Sequence, residues 1–302
     1  MTSILTNNAA MAALQTLRTI GSNLQDTQAA VSSGLRISKA SDNAAYWSIA
    51  TSMKSDNGAI GAVSDALGLG AAKVDTATTA VTSAIDIVGQ IKNKLATAME
   101  PSVDKKSVQE EISQLQQQLQ SVAQSASFNG ENWVMAKGGD SASVVSSFIR
   151  GTNGTVSVST TSYKFDSGAT GNVLFGASAA GTIQTSSGIL GTKTGSYSVF
   201  SLDISKMTSG QISSALNMVQ TALNAMTSMG SKLGSISSRI DLQTSFASSL
   251  SDSIQSGVGK LVDADMEQES SKLSALQTQQ QLAVQSLSIA NSSNQQILTL
   301  FR

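Results

Sequence analysis

The sequence predicts a mainly α-helical fold in which N- and C-terminal helices pair as a coiled-coil rod carrying a small β-rich central insertion. Three observations predict it. Between Ile60 and Ala98 the inward positions step by three and four without a slip, with Ile60, Leu67, Val74, Val81, Val88 and Leu95 at one seam position and Val63, Gly70, Ala77, Ala84, Ile91 and Ala98 at the other. The same spacing runs from Ile212 to Ala264 through Val219, Met226, Leu233, Ile240, Leu250, Ile254 and Leu261. Between about 135 and 203 the period changes to two. An apolar stripe sustained at helical period is buried only against another helix, so the two distant ends are expected to pack together and leave the middle as an outgrowth.

Residues 1 to about 36 are expected to form the first helix, with Leu14, Leu17, Leu24, Val31 and Leu35 at three-four spacing, interrupted by Gly21 and Gln28. Ser32-Ser33-Gly34 loosens its end, and Ser41-Asp42-Asn43 offers capping oxygens for a restart. A turn at Asp56-Asn57-Gly58 is expected before a long helix from about 59 to 99, which Pro101 ends. Val108, Ile112, Leu115, Leu119 and Val122 make the next stripe, closing near Phe128-Asn129-Gly130. TVSVS, YKF, NVLF and YSVFSLDIS then cluster β-formers between glycines and read as strands, although a polar linker shares that composition. An insertion of this kind is expected to tolerate removal.

Helix resumes near Ser209 and runs to about Leu261. A last helix carries Leu273, Leu276, Ala283, Leu287, Ala290, Ile297 and Phe301 on one seam, with Leu282, Val284, Ile289, Leu298 and Leu300 off it. A helix apolar around much of its girth needs cover on several faces. Copies of the same chain are the economical source, so residues 1 to about 36 and 270 to 302 are expected to be largely disordered in the free monomer and to become helical only on polymerisation. The expected divisions are 1–40, 41–135, 136–204, 205–265 and 266–302.

Composition narrows the function. Aromatics are 4% and charged residues 13%, which suits thin helical bundles with small seam residues rather than a thick core. A net charge of −1 offers no general attraction for phosphate backbones, so nucleic acid is not expected as a partner. Cys and His are both absent, which removes thiolate chemistry, the commonest metal ligand and the side chain best suited to proton transfer near neutral pH. No cofactor and no enzymatic activity are expected. The start MTSILTNNAAMAALQTLRT lacks a basic leader and a continuous apolar stretch, and no apolar run reaches the roughly 18 residues that span a bilayer. The chain is therefore expected to be cytosolic or exported without a cleaved leader, with no membrane partner.

The few chemical motifs have plainer readings. Asp263, Asp265, Glu267 and Glu269 could form a metal or acid cluster, but positions two apart on a helix diverge; carboxylates complementing a helix start account for them. No glycine run has the phosphate-loop form. The ten methionines read as core filling, and Tyr46-Trp47 as packing anchors, with an intersubunit contact as the other reading.

At this point the residues carry a resemblance. Ser32-Ser33-Gly34-Leu35-Arg36-Ile37, then Ala40-Ser41-Asp42-Asn43-Ala44-Ala45 and Ser48-Ile49-Ala50, resembles the N-terminal signature of bacterial flagellins. Val262-Asp263-Ala264-Asp265 with Glu269, and the closing Gln295-Gln296-Ile297-Leu298-Thr299-Leu300-Phe301-Arg302, resembles their C-terminal signature. The family residues thus fall on Ser33, Gly34, Leu35, Arg36, Asp42, Asn43, Ala44, Ala45, Asp263, Asp265 and Arg302. The resemblance implies a secreted subunit that self-assembles into the extracellular flagellar filament for motility, alone or beside other flagellins. It implies terminal helices lining the filament core through Leu14, Leu17, Leu24, Val31, Leu35, Leu276, Leu287, Ile297, Leu300 and Phe301. It also implies the flagellar export apparatus, a chaperone and the filament cap as partners.

Two departures bear on host immune receptors. Tyr46-Trp47 follows the signature Ala44-Ala45, as in flagellins of plant-associated alphaproteobacteria, and Asn43 stands where an Asp is frequent. Lys92-Asn93-Lys94-Leu95 stands where the family usually offers the animal receptor an Arg-Glu-Leu arrangement. Recognition by both the plant and the animal receptor is expected to be weak. The alternative identity, a coiled-coil needle-tip or adhesin-like secreted protein, lacks a reason for the two terminal signatures.

Overall fold

The computed structural model describes residues 7–151, 155–178 and 181–300, excepting the side chains of Phe148, Val156 and residues 293–300. Helix α1 spans Asn8–Ser33; the Asn7 side chain accepts from the Ala10 amide at 3.0 Å to begin it. It stops at Gly34, whose φ of 70° is a left-handed conformation that glycine adopts without a Cβ clash. Helix α2, Ala44–Thr97, starts where Asn43 Oδ1 accepts from the amides of Ala45 and Tyr46, both at 3.1 Å.

Helix α2 runs straight through Asp56-Asn57-Gly58, where a turn was expected. The Asn57 side chain, which would compete for the local backbone in a turn, instead accepts from Ser251 Oγ at 2.6 Å. Glycine within a helix costs only about 1 kcal/mol relative to alanine, less than the burial of the seam beyond it supplies.

Helix α3, Lys105–Ser125, follows the turn at Pro101 and is capped by Asp104, which accepts from the Lys106 amide at 3.0 Å. Strands β1, Ser127–Phe128, and β2, Glu131–Asn132, form a hairpin. Strand β3, Met135–Ala136, precedes the long antiparallel hairpin of β4, Ser141–Arg150, and β5, Val156–Lys164, whose register is irregular between Val145 and Ser147. Strand β6, Phe175–Ala177, lies between β3, to which it is parallel, and β7, Ile183–Gln184, to which it is antiparallel. Helices α4, Ser209–Val262, and α5, Met266–Leu300, complete the chain.

Two compact units emerge, residues 59–250 and residues 1–58 with 251–302. In the larger one every apolar seam residue of α2 from Ile60 to Leu95 is buried, as are Ala98 just past it and Ile212, Val219, Met226, Leu233 and Ile240 of α4. Val173, Leu174, Phe175, Leu190, Val199 and Leu202 belong to the same core as Ile112 and Leu119 of α3. The compact units therefore cut the chain elsewhere than the five sequence segments: residues 136–204 share a core with the helices. Excising residues 136–204 would expose apolar residues of that shared core, a cost that the expected tolerance of removal has to absorb.

The segment YSVFSLDIS also departs from expectation, since it forms no strand. Its carbonyls are met by α3 side chains: Gln116 Nε2 donates to Val199 and Leu202 at 2.9 and 3.1 Å, and Gln109 Nε2 donates to Leu202 at 3.2 Å. Gln109 Oε1 accepts from the Ile204 amide at 2.8 Å. With the backbone satisfied from the side, its alternating Val199, Leu202 and Ile204 are buried without a ladder.

Candidate assembly site

In the smaller unit α1 and α5 pack against each other and run antiparallel. Asn7 Nδ2 donates to the Ala290 carbonyl at 2.9 Å at one end, and Leu35 bridges Asp263 at the other. On α1, Leu17, Leu24 and Val31 are half-buried; on α5, Leu273, Ala283, Leu287 and Ala290 are half-buried and Leu276 is buried; Leu35, just past α1, is half-buried too. Leu14 lies at the exposed margin. Ile297 and Leu300 lie on α5, but their side chains, with Phe301 and Arg302, fall outside the described residues.

The pair covers one stripe of α5 and leaves others open. Leu282, Val284 and Ile289 are 59, 53 and 69% exposed, and Met11 of α1 is 65% exposed. Thr27, the single buried residue of α1, has a hydroxyl with no hydrogen-bond partner among the described residues. A helix pair with an apolar outer face and a half-buried seam is one that gains by further packing.

The two terminal signatures meet at the base of this pair. The Ala264 amide donates to the Gly34 carbonyl at 2.9 Å; the amides of Arg36 and Ile37 both donate to the Val262 carbonyl, at 2.7 and 3.3 Å. The Arg36 guanidinium donates to the Leu261 carbonyl at 3.0 Å, a cation placed at the C-terminal end of α4. Beneath them Ile37, Ala50, Val258 and Val262 form a small core, with Leu35, Met53, Ile254 and Leu261 packed around it. Ser33 Oγ accepts from the Leu35 amide at 3.2 Å.

The signature acids are structural. Asp42 accepts from the Ser38 amide at 3.0 Å, from Lys39 at 3.1 Å and from the Ser38 hydroxyl at 3.3 Å, and the Ser38 amide above all holds its carboxyl below the usual range. Asp265 caps α5, accepting from the amides of Glu267 and Gln268 at 3.0 and 3.2 Å, with Glu267 and Glu269 in the first turn. Asp263 is exposed beside its bridge to Leu35. Ala44 and Ala45 open α2 directly after the Asn43 cap. No cluster of acids able to hold a metal occurs among the described residues. Asp104 and Asp203 are also held below their usual range, by hydrogen bonds from Lys106 at the start of α3 and from Ser205, each two residues on.

Tyr46 and Trp47 correct a sequence expectation: at 42 and 39% exposed, with Ile49 at 49%, they do not anchor packing within the chain. What sequence reasoning missed is that Gly34–Ile37 and Val262–Ala264 bond to each other. Both segments carry the terminal signatures, yet nothing local in either specifies the other.

The family model for the bacterial flagellin N-terminal helical region matches residues 4–137, and that for the C-terminal helical region matches residues 216–301. Flagellin B of Rhizobium meliloti is 45% identical, flagellin C of Rhizobium meliloti strain 1021 is 47% identical, and a flagellin of Brucella melitensis biotype 1 is 46% identical, each alignment covering the whole of both chains. None of the described helices is long and apolar enough to cross a membrane. With two family models over most of its length and full-length relatives at this identity, the chain belongs to the bacterial flagellins.

Proposed function

We propose that the α1–α5 pair is the element of this subunit that neighbouring copies cover in the polymer. As a flagellin the chain is a structural subunit of the extracellular flagellar filament and polymerises with itself and with other flagellins. The observation that carries the proposal is the open apolar face of Leu282, Val284 and Ile289 on a helix whose partner occupies a different stripe. Leu14, Leu17, Leu24, Val31, Leu276 and Leu287 then hold the pair together, and the outer face contacts other copies. Electron microscopy of the purified chain, seeded with filament fragments, tests this: the wild type extends the seeds into helical filaments with no other protein present, and Leu287→Asp does not. A chain that forms no filament alone would favour a needle-tip or adhesin-like role.

Finer partners follow from the family resemblance and are part of the same reading. The export apparatus, a chaperone and the filament cap handle the subunit before it reaches the filament tip. Host receptors read it poorly. Supporting this, Asn43 is engaged in capping α2, the rings of Tyr46 and Trp47 stand exposed, and Lys94 and Lys92 are bound to Glu111 and Gln220. A synthetic peptide of residues 29–50 is expected to give little oxidative burst in a responsive plant, and a full burst would overturn that half of the reading.

A further inference from the structure

The β1–β2 hairpin is joined by two residues, Asn129 and Gly130. Asn129 has φ 51°, the one described non-glycine residue with positive φ, and Gly130 has φ 82°, the pattern of a primed turn that suits asparagine followed by glycine. Both residues are exposed. The Asn129 carboxamide makes no hydrogen bond to the described residues, the Gly130 amide belongs to neither strand of the ladder, and nothing lies within 4 Å of where a Gly130 Cβ would stand. An asparagine amide followed by an unhindered backbone nitrogen is a reactive arrangement, and asparagine is among the thermolabile residues.

We propose that Asn129 is a site of spontaneous covalent modification, deamidation through a cyclic imide. The Gly130 backbone nitrogen, losing its proton to hydroxide, bonds to the Asn129 side-chain carbonyl carbon; the C–N bond to the side-chain amide breaks, and that nitrogen leaves as ammonia after taking a proton from water. Water then opens the imide at either carbonyl, giving aspartate or isoaspartate. No electrons are exchanged. Glycine matters because a side chain on residue 130 would crowd the attacking nitrogen.

The sequence alone marks three Asn-Gly pairs, and the structure separates two of them. Asn57-Gly58 lies inside α2, where the helix fixes the backbone and Ser251 Oγ donates to Asn57 Oδ1 at 2.6 Å. Asn153-Gly154 falls outside the described residues. The product at 129 has structural consequences. Aspartate still tolerates positive φ, but isoaspartate adds a carbon to the main chain of a hairpin whose register is fixed on both sides. One residue from the turn, Glu131 pairs with Lys73 at 3.0 Å. Next to it, Asn132 Nδ2 donates to Ala123 at 2.7 Å while its Oδ1 accepts from Val134 and Met135 at 3.0 and 2.9 Å.

Peptide mapping of the purified full-length chain, aged in warm, mildly alkaline buffer, tests the site, with fragmentation that distinguishes aspartate from isoaspartate. Both products are expected to accumulate at Asn129 several-fold faster than at Asn57. Asn129→Gly, which keeps the turn conformation, should remove the signal at that position and leave the circular dichroism spectrum unchanged. An intact Asn129 after the denaturant-unfolded chain has converted there, or conversion at Asn57 keeping pace, would overturn the proposal.

Discussion

The Ala264 amide donates to the Gly34 carbonyl at 2.9 Å, so the residue that ends α1 also fixes the entry to α5. One glycine serves both because its left-handed φ of 70° turns the chain from the helix end toward the linker between α4 and α5. Any side chain at 34 resists that conformation. Gly34→Ala is expected to cost about 1 kcal/mol. Hydrogen exchange at the Ala264, Arg36 and Ile37 amides should quicken relative to wild type, while exchange in the α2 seam from Leu67 to Leu95 stays as it was.

Gln116 is buried and donates to two carbonyls of a segment that has no strand partner. Gln116→Ala strands both oxygens and leaves a gap. A loss of roughly 1 to 3 kcal/mol is expected in denaturant unfolding of the chain. An unchanged midpoint would mean that water replaces the side chain at no cost.

Tyr163 is stacked on Trp133 with ring centroids 5.5 Å apart, and burial pushes its hydroxyl up to about 12. The unfolded chain ionises near pH 10, so it binds fewer protons than the folded chain between pH 10 and 12. The stability contributed by the neutral phenol is therefore complete below pH 10 and lost as pH rises through that window. Tyr163→Phe should flatten the alkaline fall in melting temperature. The hydroxyl's bond to the Asn172 carbonyl is long, 3.4 Å, so the variant should melt close to wild type at neutral pH.

The half-buried seam between α1 and α5 is a thin interface for two helices, and ordering a residue costs roughly 1 to 2 kcal/mol. Brief proteolysis should cut the free subunit within both helices and spare them in the filament. Equal resistance in the two states would mean that the pair is complete without neighbours.

The long heptads made α2 and α4 legible because their seams satisfy a single requirement, burial at helical period, and those seam residues within the larger unit are buried. Asn57-Gly58 misled because its helical state depends on Ser251, 194 residues away. YSVFSLDIS misled because glutamines on α3 supply what a neighbouring strand would have. Tyr46 and Trp47 read as core by residue type, yet α2 turns Ala50 and Met53 toward α4 and leaves the rings outside. Of the candidate site, the stripes of α1 and α5 and the capping roles of Asn43 and Asp265 were visible locally. The bonding of one signature to the other was not.

Ile289→Asp tests the central claim most directly, because Ile289 is 69% exposed and its replacement leaves the fold of the free chain alone. A carboxylate buried without a partner costs several kcal/mol, repeated in every subunit of a polymer. Sedimentation after seeding with wild-type filament fragments should leave the variant in the supernatant, with a monomer circular dichroism spectrum equal to wild type. Normal filaments of Ile289→Asp in the pellet would contradict the account.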